Sequence, residues 1–126
     1  MFRRTSVLRR LSLAATVAAA TLALLPGAPA SAAPPPECPF TDTLCLFEGT
    51  NFTGARFNVK ALVANGTCVD LVSHGWGGTR AHSAINTNSH AAQLHPVFSC
   101  YGYPLTVPGN SSLPSINFNA SSAYVF

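Results

Sequence analysis

Asp70, Ser73 and His74 are the residue types of a hydrolytic triad, in which a carboxylate orients an imidazole and the imidazole deprotonates a hydroxyl. On a strand, adjacent Ser73 and His74 would point to opposite faces, which separates base from nucleophile. Three more histidines, His82, His90 and His95, follow His74 at intervals of 8, 8 and 5 residues. Even spacing can set strand residues on one face. A metal centre also needs convergent ligands and hydrogen bonds that orient them. The pattern offers neither, so surface or hairpin-packing histidines are the expectation. Beyond residue 32 the acids are Glu37, Asp42, Glu48 and Asp70, a set from which a paired-carboxylate site is difficult to build. Neither a Gly-x-Ser-x-Gly elbow nor a His-Glu-x-x-His helix occurs. His74-Gly75-Trp76-Gly77-Gly78 is rich in glycine, but phosphate-cradling glycine loops open a helix, and no helical periodicity follows. Trp76 is therefore expected to plug the core or cover a sheet end. These residues imply neither an enzyme nor a cofactor.

The remaining chemistry belongs to sulfur. Cys38, Cys45, Cys68 and Cys100 are an even set in a small domain, which reads as two disulfides with three pairings open. Joining Cys38 to Cys45 closes a tight loop, and joining Cys68 to Cys100 closes a long one. Chain entropy alone would make these worth about 2.5 and 3.7 kcal/mol. A zinc site would show close pairs of the Cys-x-x-Cys kind, which are absent here.

Disulfides require an oxidising compartment, and the first segment supplies the route to one. Arg3, Arg4, Arg9 and Arg10 make a basic start, the stretch from Leu11 to Leu25 is uncharged, and Pro26-Gly27 breaks it. Ala30-Ser31-Ala32 then offers small residues to a signal peptidase. Residues 1–32 read as a signal peptide cleaved after Ala32. The apolar run is short for a bilayer span, which takes ~20 residues, so no membrane attachment is expected after cleavage. The mature chain is then secreted and extracellular, with residues 33–37 a Pro-rich lead-in and 38–126 a single domain. Its bases are Arg56, Lys60 and Arg80 against four acids. Three scattered cations cannot neutralise a phosphate backbone, which excludes a nucleic-acid partner.

The elements that must position these residues are short strands. Gly, Pro, Asn, Ser and Thr crowd the mature chain, and they form turns and resist helix. Between them lie runs with period-two alternation, such as Phe57 and Val59 within Arg56-Phe57-Asn58-Val59-Lys60. Strands are predicted at 44–48, 56–60, 68–72, 83–86, 91–95, 105–107, 115–118 and 123–126. Eight short strands with frequent turns suggest an all-β, two-sheet sandwich.

A repeat organises them. Phe47 precedes Gly54 with six residues between, and His95 precedes Gly102 by the same interval. Ser83-Ala84-Ile85 in the first half is echoed by Ser122-Ala123-Tyr124 in the second. This order resembles the βγ-crystallin Greek key. The resemblance implies two such motifs, each with an aromatic over a folded hairpin, a glycine at positive φ and a later serine bonded back to it. Phe47, Gly54 and Ser83 fill these places in the first repeat, and His95, Gly102 and Ser122 in the second. The crystallin resemblance also implies a calcium motif at Asn117, Asn119 and Ser121. Phe118 supplies no oxygen there and Arg80 puts a cation at the first-repeat position, so binding is expected to be weak or absent.

A wider resemblance rests on Cys38, Cys45-Leu46-Phe47-Glu48, Asn51-Phe52-Thr53-Gly54, Trp76-Gly77-Gly78, Ser83-Ala84-Ile85-Asn86 and Cys100-Tyr101-Gly102-Tyr103. These motifs are similar to those of the streptomycete metalloproteinase inhibitors, secreted proteins of crystallin-like fold. The resemblance implies a monomer whose partner is an extracellular protease, a thermolysin-like metalloprotease. Its inhibitory loop would carry Val97, Phe98, Ser99, Cys100 and Tyr101. Inhibitory members brace that loop with a local cysteine pair, whereas this stretch holds Cys100 alone. Two alternatives stay open: Val97 and Phe98 as core residues of a strand or hairpin, and the chain as a crystallin-like structural or ligand-binding module without inhibitory activity.

Overall fold

The computed structural model describes residues 33–126. The signal-peptide reading of residues 1–32 lies outside them. Eight strands form two four-stranded antiparallel sheets. One sheet has the order β2-β1-β4-β7, built from β1 (Leu44–Phe47), β2 (Arg56–Val59), β4 (Ser83–Asn86) and β7 (Ser111–Leu113). The other has the order β3-β8-β5-β6, built from β3 (Thr67–Asp70), β5 (Ala92–His95), β6 (Leu105–Val107) and β8 (Ser122–Val125). Each half of the chain contributes three strands to one sheet and lends its third to the other. Exchanging β3 and β7 in this way interlocks two Greek keys.

The register decides which side chains meet. In β1, Leu44 and Leu46 face the inter-sheet core, while Cys45 and Phe47 face outward into a second cluster with Cys38 and Ile85. Both faces of β1 are thus buried, and its sequence is continuously apolar rather than alternating. Opposite it, Ala92, Leu94, Val107, Ala123 and Val125 line the inner face of the second sheet. Burying one such leucine stabilises by about 1.5–3 kcal/mol. Trp76 plugs the core from its Gly-rich loop, stacked on Phe57 at 5.7 Å with 17° between the rings. Leu71 and Ile116 also enter the core from outside the strands.

One predicted strand is misplaced. The segment at 115–118 is irregular, and the edge strand is β7, pairing Leu113 with Ala84 and Ser111 with Asn86. Alternating Ile116 and Phe118 imitate a strand because both pack on the core from a loop. Ile116 is tied there by its N–H, which donates to the His82 carbonyl at 2.7 Å. β3 ends at Asp70, two residues earlier than predicted, because the Asp70 carboxylate accepts the Val72 N–H at 3.0 Å and opens a turn.

Candidate functional site

Two hairpins lie over the outer faces of the sheets, one at residues 48–55 and one at 96–103. In the first, Asn51 and Phe52 take φ of 52° and 62°, and Gly54 takes 79°. In the second, Ser99 and Cys100 take 59° and 57°, and Gly102 takes 85°. Side-chain-bearing residues enter that region at a cost of roughly 1–2 kcal/mol each, so the surroundings must hold them. A serine does so in both. Ser83 Oγ donates to the Gly49 carbonyl at 2.6 Å and accepts the Phe52 N–H at 3.0 Å. Ser122 Oγ donates to the Val97 carbonyl at 2.7 Å and accepts the Cys100 N–H at 3.0 Å. Gly102 is required twice over, since a Cβ there would also meet Pro96 Cγ at 2.9 Å.

Beneath the turns the two hairpins differ. Phe47 supports the first, edge-on to Phe52 at 5.8 Å. His95 stands in its place under the second, 6% exposed, with Nδ1 3.4 Å from the Gly102 carbonyl and no partner for Nε2 among the described residues. Cys100 occupies the position equivalent to Phe52 and is bonded to Cys68, while the other disulfide joins Cys38 to Cys45. Ser121 Oγ adds a hydrogen bond to the Pro96 carbonyl at 2.9 Å. An open cavity of about 300 Å³ lies between β3 and this hairpin, lined by Cys68, Asp70, Phe98 and Ser99.

Among the candidate inhibitory residues, Val97 is 46% exposed, Phe98 59% and Tyr101 72%. Val97 and Phe98 are therefore not core side chains. Tyr103, named from the sequence only within the Cys100-Tyr101-Gly102-Tyr103 motif, is more exposed still.

Other candidates assemble nothing comparable. Ser73 and His74 sit in the turn after β3 rather than on a strand, so Ser73 Oγ does approach His74 Nδ1, at 3.3 Å. The imidazole is held by the Asp70 backbone carbonyl at 2.6 Å, however, and the Asp70 carboxylate is turned to Val72. His82 Nδ1 lies 2.6 Å from the Glu48 carbonyl, and His90 stacks on Phe126. Among the described residues no group of three His, Cys, Asp or Glu converges on a point. Asn117 and Asn119 are exposed on either side of Phe118, and the Ser121 hydroxyl is engaged with Pro96. Near the first hairpin the Arg80 guanidinium lies 3.4 Å from the Glu48 carboxylate, bonds the Gly75 carbonyl at 2.6 Å and covers the Trp76 ring.

Two solved structures share this architecture. A double mutant of a βγ-crystallin domain from Clostridium beijerinckii matches 68% of this chain and 98% of its own length, at 13% identity and a TM-score of 0.54. A βγ-crystallin from Ciona intestinalis matches 64% of this chain and 95% of its own, at 20% identity and a TM-score of 0.51. At such identities the likeness establishes the fold. No curated protein matches the chain in sequence. The family model for peptidase inhibitor family I36 matches residues 31–104, a span that takes in all four cysteines and both hairpins. That match covers more than half of the sequence, and the chain belongs to peptidase inhibitor family I36.

Proposed function

We propose that the chain is exported, loses residues 1–32, and as an extracellular monomer inhibits thermolysin-like metalloproteases by laying residues 96–101 in the active-site cleft. Family membership supports the inhibitory activity, and two disulfides suit an oxidising compartment. The observation that carries the reading is the contrast between side chains and backbone in the second hairpin. Val97, Phe98 and Tyr101 turn apolar surface to solvent, while their backbone is clamped by Ser122 and by the Cys68–Cys100 bond. Ordering a flexible peptide in a cleft costs free energy on binding, and a loop already fixed by its fold avoids most of that cost. The same clamp would hold both sides of a cut peptide together, favouring resealing over release.

The test is a titration of thermolysin-like proteases with the exported protein. Stoichiometric loss of peptidase activity is expected, and no inhibition at micromolar concentration overturns the reading for that class. A parallel titration of a serine protease separates class specificity from general resistance. One observation favours the rival reading of a crystallin-like binding or structural module: Cys100 is bonded 32 residues away rather than within its own loop. That reading predicts no protease titration at all.

A further inference from the structure

The two disulfides differ in their access to solvent. Cys38 and Cys45 are both 0% exposed and lie in a cluster with Phe47 and Ile85. Cys68 is exposed, Cys100 is half-buried, and Cys68 opens onto the cavity it shares with Asp70, Phe98 and Ser99. Thiol–disulfide exchange needs a thiolate to reach one sulfur, so access governs the rate. A buried bond waits for unfolding, whereas an exposed one reacts in the native state.

The consequence of opening also differs. Along the second hairpin no side chain from Val97 to Tyr103 is buried. Without the covalent bond it keeps the hydrogen bonds to Ser121 and Ser122 and the long contact to His95. These must hold Ser99 and Cys100 in a left-handed conformation that neither residue prefers. The first hairpin carries no cysteine of its own and rests on Phe47 through Phe52.

We propose that Cys68–Cys100 is a thiol-exchange site for a dithiol reductant, and that opening it releases the hairpin at residues 96–103. A thiolate of the reductant attacks Cys68 Sγ, forming a mixed disulfide and breaking the Cys68–Cys100 bond. The electron pair leaves on Cys100 Sγ, which takes up the proton lost by the reductant. The second thiolate of the reductant then attacks its own sulfur in the mixed disulfide and expels Cys68, which is protonated in turn. Two electrons and two protons pass to the protein, and the reductant leaves as its disulfide. The link from hairpin release to loss of inhibition rests on the function proposed above; the exchange site itself does not.

The experiment uses dithiothreitol on the native protein, with timed alkylation and peptide mapping. Cys68 and Cys100 should be labelled at least ~10-fold faster than Cys38 and Cys45, because only the latter pair waits for unfolding. Equal rates, or earlier labelling of Cys38 and Cys45, overturn the proposal. Amide exchange on the singly reduced, alkylated protein is the second readout. The Cys100 N–H should lose its protection while amides of β1 and β4 keep theirs, and a hairpin that stays protected overturns the release. The pair C68S/C100S should reproduce that exchange pattern without any reagent. Protease titration of the oxidised and singly reduced forms separates the two ideas. Inhibition by the oxidised form that vanishes on reduction supports both. A protein that never inhibits removes the functional reading, while labelling and exchange still decide the switch.

Discussion

The hairpins at 48–55 and 96–103 share one backbone and rest on different supports. Both place two successive side-chain-bearing residues and a glycine at positive φ, and both are bridged by one serine hydroxyl. The first is held by aromatic packing over a buried disulfide, the second by an exposed disulfide over a histidine. Backbone conformation here is thus separable from what anchors it. Apolar support ties the first hairpin to the outer cluster through the half-buried Phe52. Covalent support leaves the second free to turn its apolar side chains outward.

Breaking the first support should have the largest effect. Phe47 is 3% exposed and joins two parts of its cluster, so Phe47→Ala should cost about 3–5 kcal/mol in denaturant unfolding. His95→Ala should cost under about half of that, since the imidazole makes one long hydrogen bond and leaves Nε2 unpartnered. Equal losses at the two positions would show that both hairpins rest alike on the ring beneath them.

The serines come next. Ser83→Ala and Ser122→Ala each remove a donor and an acceptor from fully buried hydroxyls and strand a carbonyl and an N–H. Each should cost about 2 kcal/mol, visible as a fall in melting temperature of roughly 8–16 °C for a domain of this size. The two should diverge in a second measurement. Ser122→Ala should weaken protease inhibition on the function proposed above, while Ser83→Ala, acting on the other hairpin, should leave inhibitory potency intact in protein that remains folded.

How much of this was legible in the sequence depends on what each residue type reports. Ser83 and Ser122 were readable because each opens a Ser-Ala pair at the same point of its repeat. β6 was readable because Leu105, Thr106 and Val107 alternate apolar and polar between Pro104 and Pro108. β7 was not, because Ser111-Ser112-Leu113 is a mostly polar edge strand whose pairing depends on β4 being its neighbour. The orientation of Val97 and Phe98 was not legible either. An apolar pair suits a core and a binding ridge equally, and only the fold-back of the hairpin onto Ser122 turns it outward. The cysteine pairing likewise depends on β3 passing beneath a hairpin that follows it by 32 residues.

The ring beneath the second hairpin can also be exchanged for the first one's. His95→Phe gives the second hairpin the first one's support and removes a buried nitrogen that lacks a partner. The variant should gain about 1 kcal/mol, because leaving such a group unsatisfied costs at least that much. A loss instead would mean that the ring's shape, or the contact to Gly102, outweighs the unpaired nitrogen.

The smallest expected effect concerns calcium. Calcium needs about six or more oxygens, several of them charged. Beside the first hairpin, Glu48 already faces the Arg80 guanidinium. Beside the second, Asn117 and Asn119 carry no charge and Ser121 is bonded to Pro96. Millimolar calcium should therefore leave the melting temperature within about 1 °C of its value in chelator, since a ligand stabilises only in proportion to its occupancy. A clear rise would place a cation at one of the hairpins. Repeating the melt with Arg80→Ala would then say which: abolition of any repulsion there should raise the response if the first hairpin binds, and leave it unchanged if the second does. The pair Arg80–Glu48 is itself half exposed, so its removal alone should cost under about 1 kcal/mol.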